Sequence, residues 1–158
     1  MFEIHEAKNL PEGLDALRRV SLAEGFRMLE RLERGFRSGE RRFDGPGEGL
    51  FAAREAGRLI GVGGVCCDPY LDDPSVGRLR HLYVAPGARR RGVGRHLVGA
   101  AVARGASAFR RLRLRTDRDE ADRFYRALGF ARSDEPDVSH VLGVVALERA
   151  RTASPEPT

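Results

Sequence analysis

Residues 82–98 read "LYVAPGARRRGVGRHLV": an apolar stretch stopped by Pro86, a run of three arginines, two glycines spaced two apart, and apolar residues again. The residue before a proline is held extended, so the strand ends there, and apolar positions at Val93, Leu97, Ala100, Ala101 and Ala108 recur at helical spacing up to Phe109. The segment is a strand, a glycine loop and a helix in direct succession. A helix start leaves its first amide N–H groups without partners and carries roughly half a positive charge, which makes it an anion site. Gly92 and Gly94 remove the Cβ atoms that would keep a pyrophosphate away, and Arg89, Arg90, Arg91 and Arg95 add charge and forked donors. Other glycine loops fit less well. A nucleotide-hydrolysing P-loop needs a lysine and a hydroxyl residue where Arg95 and His96 stand, and a dinucleotide fingerprint needs a third glycine. Nucleic-acid recognition would require stacking aromatics or a recognised module, which the loop lacks.

Upstream, "RLRHLYVAP" alternates Leu79, His81 and Tyr83 against Arg80, Leu82 and Val84, the pattern of a strand. Before it, residues 50–67 read as a hairpin, with a run from Leu50 to Arg54, a turn at Glu55–Gly57 and a longer run from Arg58 to Cys67. Gly61, Gly63 and Gly64 inside the second run point to a bulge or a close approach. "MFEIHEA" alternates around Phe2 and Ile4 and is a first strand. Pro11 opens a helix with Leu14, Leu17 and Val20 on one face. Ser21 is placed to cap a second helix bearing Leu22, Phe26, Leu29, Leu32 and Phe36. Downstream, "RRLRLRTD" is a strand burying Leu112 and Leu114. "EADRFYRALGF" is a helix with Ala121, Phe124, Tyr125 and Leu128 on one side and Gly129 at its stop. Closing strands are expected around Ala131–Asp134 and Ser139–Leu147.

The chain has 158 residues, enough for a single core. Residues 1–149 are read as one domain and residues 150–158, polar and proline-bearing, as a disordered tail. The net charge of +5 comes from 28 basic against 23 acidic residues. Basic and acidic side chains interleave between Arg18 and Arg41, as on a solvated helix face. No apolar run is long enough for a membrane span and no secretory signal opens the chain, so no membrane partner and a cytoplasmic location are expected. Cys66 and Cys67 are adjacent and four histidines are scattered, so neither a disulfide nor a metal site is expected.

Arg89-Arg90-Arg91-Gly92-Val93-Gly94 resembles the Arg/Gln-x-x-Gly-x-Gly/Ala acyl-CoA motif of the GCN5-related N-acetyltransferase (GNAT) superfamily, and "RFYRALGF" resembles its second signature. The resemblance covers residues 78–130. It implies an α/β (α+β) fold with a mixed, mostly antiparallel central sheet of six to seven strands and four flanking helices. It further implies a strand that splays from its neighbour at a bulge, so that the main chain of Leu82, Tyr83 and Val84 pairs with the pantetheine arm. Arg89, Arg90, Arg91, Gly92, Val93, Gly94 and Arg95 would hold the pyrophosphate. Tyr125 matches the tyrosine that protonates the departing thiolate, and a phenol of ordinary pKa about 10 is a competent acid for that step. The implied co-substrate is acetyl-CoA, with no metal. The implied reaction is acetyl transfer to a primary amine of a small molecule or peptide by direct attack, and relatives often pair into homodimers through their closing strands. Two departures stand out. Arg118 replaces an asparagine that contacts the cofactor in many members, and no strand glutamate matches the usual general base, leaving His81 and His140 as the titratable groups to consider. The missing base keeps a non-catalytic acyl-CoA sensor or partner module open as an alternative, with a basic nucleic-acid-binding protein ranked behind it as a third; a nucleic-acid partner is not expected.

Overall fold

The computed structural model describes residues 1–143. Its elements are β1 (Glu3–Glu6), α1 (Leu14–Ala23), α2 (Met28–Ser38), β2 (Gly49–Glu55), β3 (Arg58–Cys67), β4 (Val76–Val84), a 3-10 turn (Pro86–Ala88), α3 (Val93–Gly105), β5 (Arg111–Leu114), α4 (Asp119–Ala127), β6 (Ala131–Arg132) and β7 (His140–Leu142). The described strands form one sheet in the order β1-β2-β3-β4-β5-β7-β6. Every neighbouring pair is antiparallel except β4 with β5. The fold class is therefore the mixed, mostly antiparallel α/β architecture expected from the sequence.

Both faces of the sheet are covered. On one, Val93, Leu97, Val98 and Ala101 of α3 and Tyr125 of α4 pack with Phe51, Val65, Leu79 and Leu112. On the other, Leu14, Leu17, Leu29, Leu32 and Phe36 of α1 and α2 pack with Leu50, Val62, Cys66 and Tyr83. The β2–β3 hairpin turns through Ala56 (φ 50°) and Gly57 (φ 79°), both left-handed, as a two-residue turn matching the twist of its strands requires. Gly61 is explained by close approach: a Cβ there would lie 3.0 Å from Leu97 Cδ1 and 3.1 Å from the Tyr83 carbonyl oxygen.

Several sequence expectations shift. Ser21 does not cap a second helix; it is buried within α1 and donates from Oγ to the Arg18 carbonyl at 2.7 Å. Leu14, Leu17 and Ser21 share the inward stripe of α1, which leaves Val20 41% exposed. The break between the helices falls later, at Gly25 (φ 89°). α3 stops at Gly105, after which the chain turns so that Phe109 fills the core beside Gly77 and Leu112. β6 is shorter than expected. Of the last strand, residues 143 and below are described, and the expectations for residues 144–158 lie outside them.

Candidate active site

β4 is built to open the sheet. It pairs in parallel with β5 over three rungs, Val76 with Arg111, Gly77 with Leu112 and Arg78 with Arg113, and there the pairing ends. β4 then runs on to Val84, bonded along its other edge to β3. Within that run, His81 takes φ 62° and the β3 register jumps from Val62–Tyr83 to Gly64–Arg80, so His81 and Leu82 together face Gly63. An extra residue in one strand bends it and sharpens its twist. The bulge breaks the alternation expected from the sequence: Leu79, Leu82 and Val84 go to the α3 face and Tyr83 to the α1–α2 face. Leu82, Tyr83 and Val84 thus lie on the free bank of a wedge between β4 and β5.

The glycine loop closes the far end of β4. Arg90 (φ 62°) and Gly92 (φ 87°) are left-handed, and α3 begins at Val93 with no side-chain cap. Among the described residues, the amides of Arg90 to Arg95 have no protein acceptor; the first satisfied amide is that of His96, which reaches the Gly92 carbonyl at 3.0 Å. Six consecutive donors beside a helix start form a cradle for a pyrophosphate. The arginines divide. Arg90 and Arg95 are exposed and make no ion pair among the described residues, whereas Arg91 pairs with Glu55 of the hairpin. Arg89 turns away from the cradle: Nε donates to the Val84 carbonyl at 3.0 Å, and Nη1 and Nη2 donate to Glu24 at 3.0 and 2.7 Å.

The two loop glycines differ in kind. A side chain at Gly92 is strained by its φ of 87°, while a Cβ at Gly94 would meet the Phe124 ring at 3.4 Å, an ordinary contact. Gly92→Ala should cost about 1–2 kcal/mol of stability, whereas Gly94→Ala should change stability by less than about 1 kcal/mol. Parallel urea denaturations of the two variants check the contrast.

Tyr125 lies on α4 and is buried, with its ring edge-on to Phe124 and Phe130 at centroid distances of 5.0 and 5.6 Å. Burial pushes its hydroxyl above the ordinary phenol range. That group makes no hydrogen bond among the described residues, so it is protonated and uncommitted.

Neither histidine is an available base. His81 Nδ1 donates to the Met28 carbonyl at 2.9 Å, which fixes the tautomer, and burial pushes its pKa down to about 3. The unfolded chain's imidazole takes up a proton below about pH 6.5, which the folded one refuses until about 3, so stability present above 6.5 is lost as the pH falls through that window. His81→Asn keeps a side-chain amide near Met28 and tolerates the left-handed backbone. Between pH 7 and pH 5 the unaltered chain should lose about 2 kcal/mol more than this variant, at a rate that approaches about 1.4 kcal/mol per pH unit only below about pH 6, as read by urea denaturation. His140 uses both ring nitrogens, one with Ser139 Oγ and the other with Asp122 Oδ1, each at 2.8 Å.

Sequence reasoning missed Glu24. At the end of α1 it receives Arg89 and the Tyr83 hydroxyl, and these two bonds hold its carboxyl below the usual range. No local signal marks it, since its partners are 59 and 65 residues away. Among the described residues, no cluster of three or more His, Cys, Asp and Glu side chains is placed to hold a metal, and no helix is long and apolar enough to cross a membrane.

A wedge between β4 and β5, met at its end by a helix start with unpaired amides, defines a class. The model of the acetyltransferase (GNAT) family matches residues 16–130, and the chain belongs to that family. Among solved structures, a candidate acetyltransferase from Exiguobacterium sp. 255-15 is 27% identical with a TM-score of 0.84, covering 96% of this chain and 99% of its own. An acetyltransferase of the GNAT family from Staphylococcus aureus Mu50 is 16% identical with a TM-score of 0.64, covering 91% and 99%. An acetyltransferase from Streptococcus agalactiae 2603 is 21% identical with a TM-score of 0.67, covering 89% and 95%. The last two likenesses concern the fold alone. No curated protein matches the chain.

Proposed function

We propose that the protein transfers the acetyl group of acetyl-CoA to a primary amine by direct attack within a ternary complex. The observation that carries this reading is the run of amides from Arg90 to Arg95 unsatisfied among the described residues, continuous with a β4 edge that beyond Arg78 has no strand partner among them. The amides and the exposed Arg90 and Arg95 hold the pyrophosphate, and the Leu82–Val84 main chain pairs with the pantetheine arm as an added strand would. A β4 amide at the bulge, near Leu82, donates to the thioester oxygen, where negative charge develops. Tyr125 gives its proton to the departing sulfur. Holding amine and thioester together removes much of the entropic part of the barrier. The acceptor approaches from the α1–α2 side, where Phe26 packs edge-on against Tyr83.

A specific observation favours a second reading, an acyl-CoA sensor without turnover: His81, His140 and Glu24 are each committed within the protein. In the first reading the amine therefore arrives unprotonated or sheds its proton to water. Mass spectrometry for an acetylated product across a panel of amino acids, polyamines and lysine peptides separates the two. A mass gain of one acetyl group on any amine supports transfer. Binding of acetyl-CoA with no product from any of them supports the sensor. A homodimer through the closing strands belongs to the same proposal, and light scattering reads it.

A further inference from the structure

On the α1–α2 side, one aromatic ring touches both banks of the wedge. Phe26, in the loop between α1 and α2, sits edge-on to Tyr83 of β4 at 6.0 Å between centroids, and the guanidinium of Arg118 lies over the ring, 4.0 Å from its centroid. Tyr83 belongs to the β4 bank; Arg118 ends the β5 bank, at the residue that precedes α4. The loop carrying Phe26 is pinned, because Glu24, two residues earlier, accepts both Arg89 and the Tyr83 hydroxyl. Arg118 itself is exposed, and its guanidinium donates no hydrogen bond and makes no ion pair among the described residues, although Asp117 and Asp119 flank it in sequence. A planar cation stacked on an aromatic face is oriented by the stack, and its unused donors form a fork that matches a carboxylate or phosphate.

We infer that Arg118, held over Phe26 across the mouth of the β4/β5 wedge, determines acceptor specificity by gripping an anionic group of the acceptor, so that amines carrying a carboxylate are preferred. The inference rests on the acetyltransferase reading above. The same fork could instead take a phosphate of CoA, and the two sources separate experimentally.

The test compares the unaltered chain with Arg118→Ala, Arg118→Lys and Phe26→Leu. Two pairs of acceptors exchange a carboxylate for an amide, glycine with glycinamide and aspartate with asparagine, and because the amide also makes the neighbouring amine less basic, each kcat/KM is referred to the concentration of unprotonated amine. Spermidine is the polycationic control. The ratio of kcat/KM for acid over amide should exceed one in the unaltered chain and fall roughly tenfold in Arg118→Ala, as expected for loss of a charge-assisted, forked contact. Arg118→Lys, which keeps the charge without the fork, should recover part of that ratio, and Phe26→Leu should lower it through the lost stack. The dissociation constant of acetyl-CoA should stay within about twofold in all three, since pyrophosphate binding lies elsewhere. A weakened acetyl-CoA affinity in Arg118→Ala with an unchanged acid-to-amide ratio makes Arg118 a cofactor contact and overturns the inference, as does a preference for spermidine. If no amine is acetylated, the acetyltransferase reading fails on its own. Calorimetric titration of glycine, glycinamide and spermidine into CoA-loaded protein then reads the same preference; tighter glycine binding that Arg118→Ala abolishes supports the inference, and any other result overturns it.

Discussion

Tyr125→Phe should lower kcat for acetyl transfer by about 10²–10⁴-fold while leaving the fold intact, the range expected when a positioned general acid is removed. The separation of the two effects follows from the surroundings of the ring. Phe124, Phe130 and His140 pack around it at centroid distances of 5.0, 5.6 and 6.0 Å, and phenylalanine fills the same volume. The hydroxyl has no hydrogen-bond partner among the described residues, so its loss leaves no protein group unsatisfied, and the stability change should stay within about 1 kcal/mol. Burial raises the pKa of the group, which keeps it protonated throughout the physiological range and lets it act only as a donor. Thiol release with acetyl-CoA and a competent amine, measured beside a thermal melt, checks both halves. A kcat within threefold of the unaltered chain would remove Tyr125 from the chemistry.

The largest stability effect is expected at Asp68. This carboxylate is 1% exposed; Oδ2 accepts Arg113 Nε at 2.8 Å and Arg78 Nη1 at 3.4 Å, and Oδ1 accepts the Tyr70 amide at 2.9 Å. Arg78 and Arg113 are themselves buried, at 6% and 2% exposure, and they are opposite one another on the last paired rung between β4 and β5. Backbone carbonyls of Pro136 and Asp137 take further guanidinium protons, at 3.4 and 2.7 Å. Removing the carboxylate leaves two buried cations facing each other, with the part-exposed Glu135, 3.8 Å from Arg113 Nη1, as the remaining counter-charge among the described residues, and breaking a buried pair in this way costs about 3–5 kcal/mol. Asp68→Ala should therefore lose that much in urea denaturation, with Asp68→Asn intermediate because one oxygen remains. An effect below about 1 kcal/mol would show that the cluster is solvated in solution. The rung it stabilises is the apex of the wedge, so surviving Asp68→Ala protein should also bind acetyl-CoA more weakly.

Much of this architecture was legible in the chain. Pro86 stopping a strand, Gly92 before Val93, and apolar residues at helical spacing from Val93 specify strand, loop and helix by local rules that tertiary contacts do not override. The two-residue turn at Ala56 and Gly57 is local in the same sense. What stayed hidden depends on distant partners. His81 takes a left-handed backbone that nothing in "RLRHLYV" requires; the Met28 carbonyl and the Phe43 ring hold it there. Ser21 looks like a cap because serine caps helices, yet its Oγ is satisfied inside α1, a choice made by the inward stripe of Leu14 and Leu17. Arg89 belongs to the acyl-CoA motif by sequence, and its side chain goes to Glu24 because that carboxylate and the Val84 carbonyl lie within reach on the α1–α2 side.

Binding of CoA requires that the helix start of α3 and the β4 edge, unpaired by any strand beyond Arg78 among the described residues, act as one continuous surface. Backbone amide shifts recorded by NMR as CoA is added test this most directly. Saturable shifts concentrated at Arg90–Arg95 and Leu82–Val84 are the predicted result. Unmoved amides in both segments at millimolar CoA, or shifts confined to other parts of the chain, would contradict it.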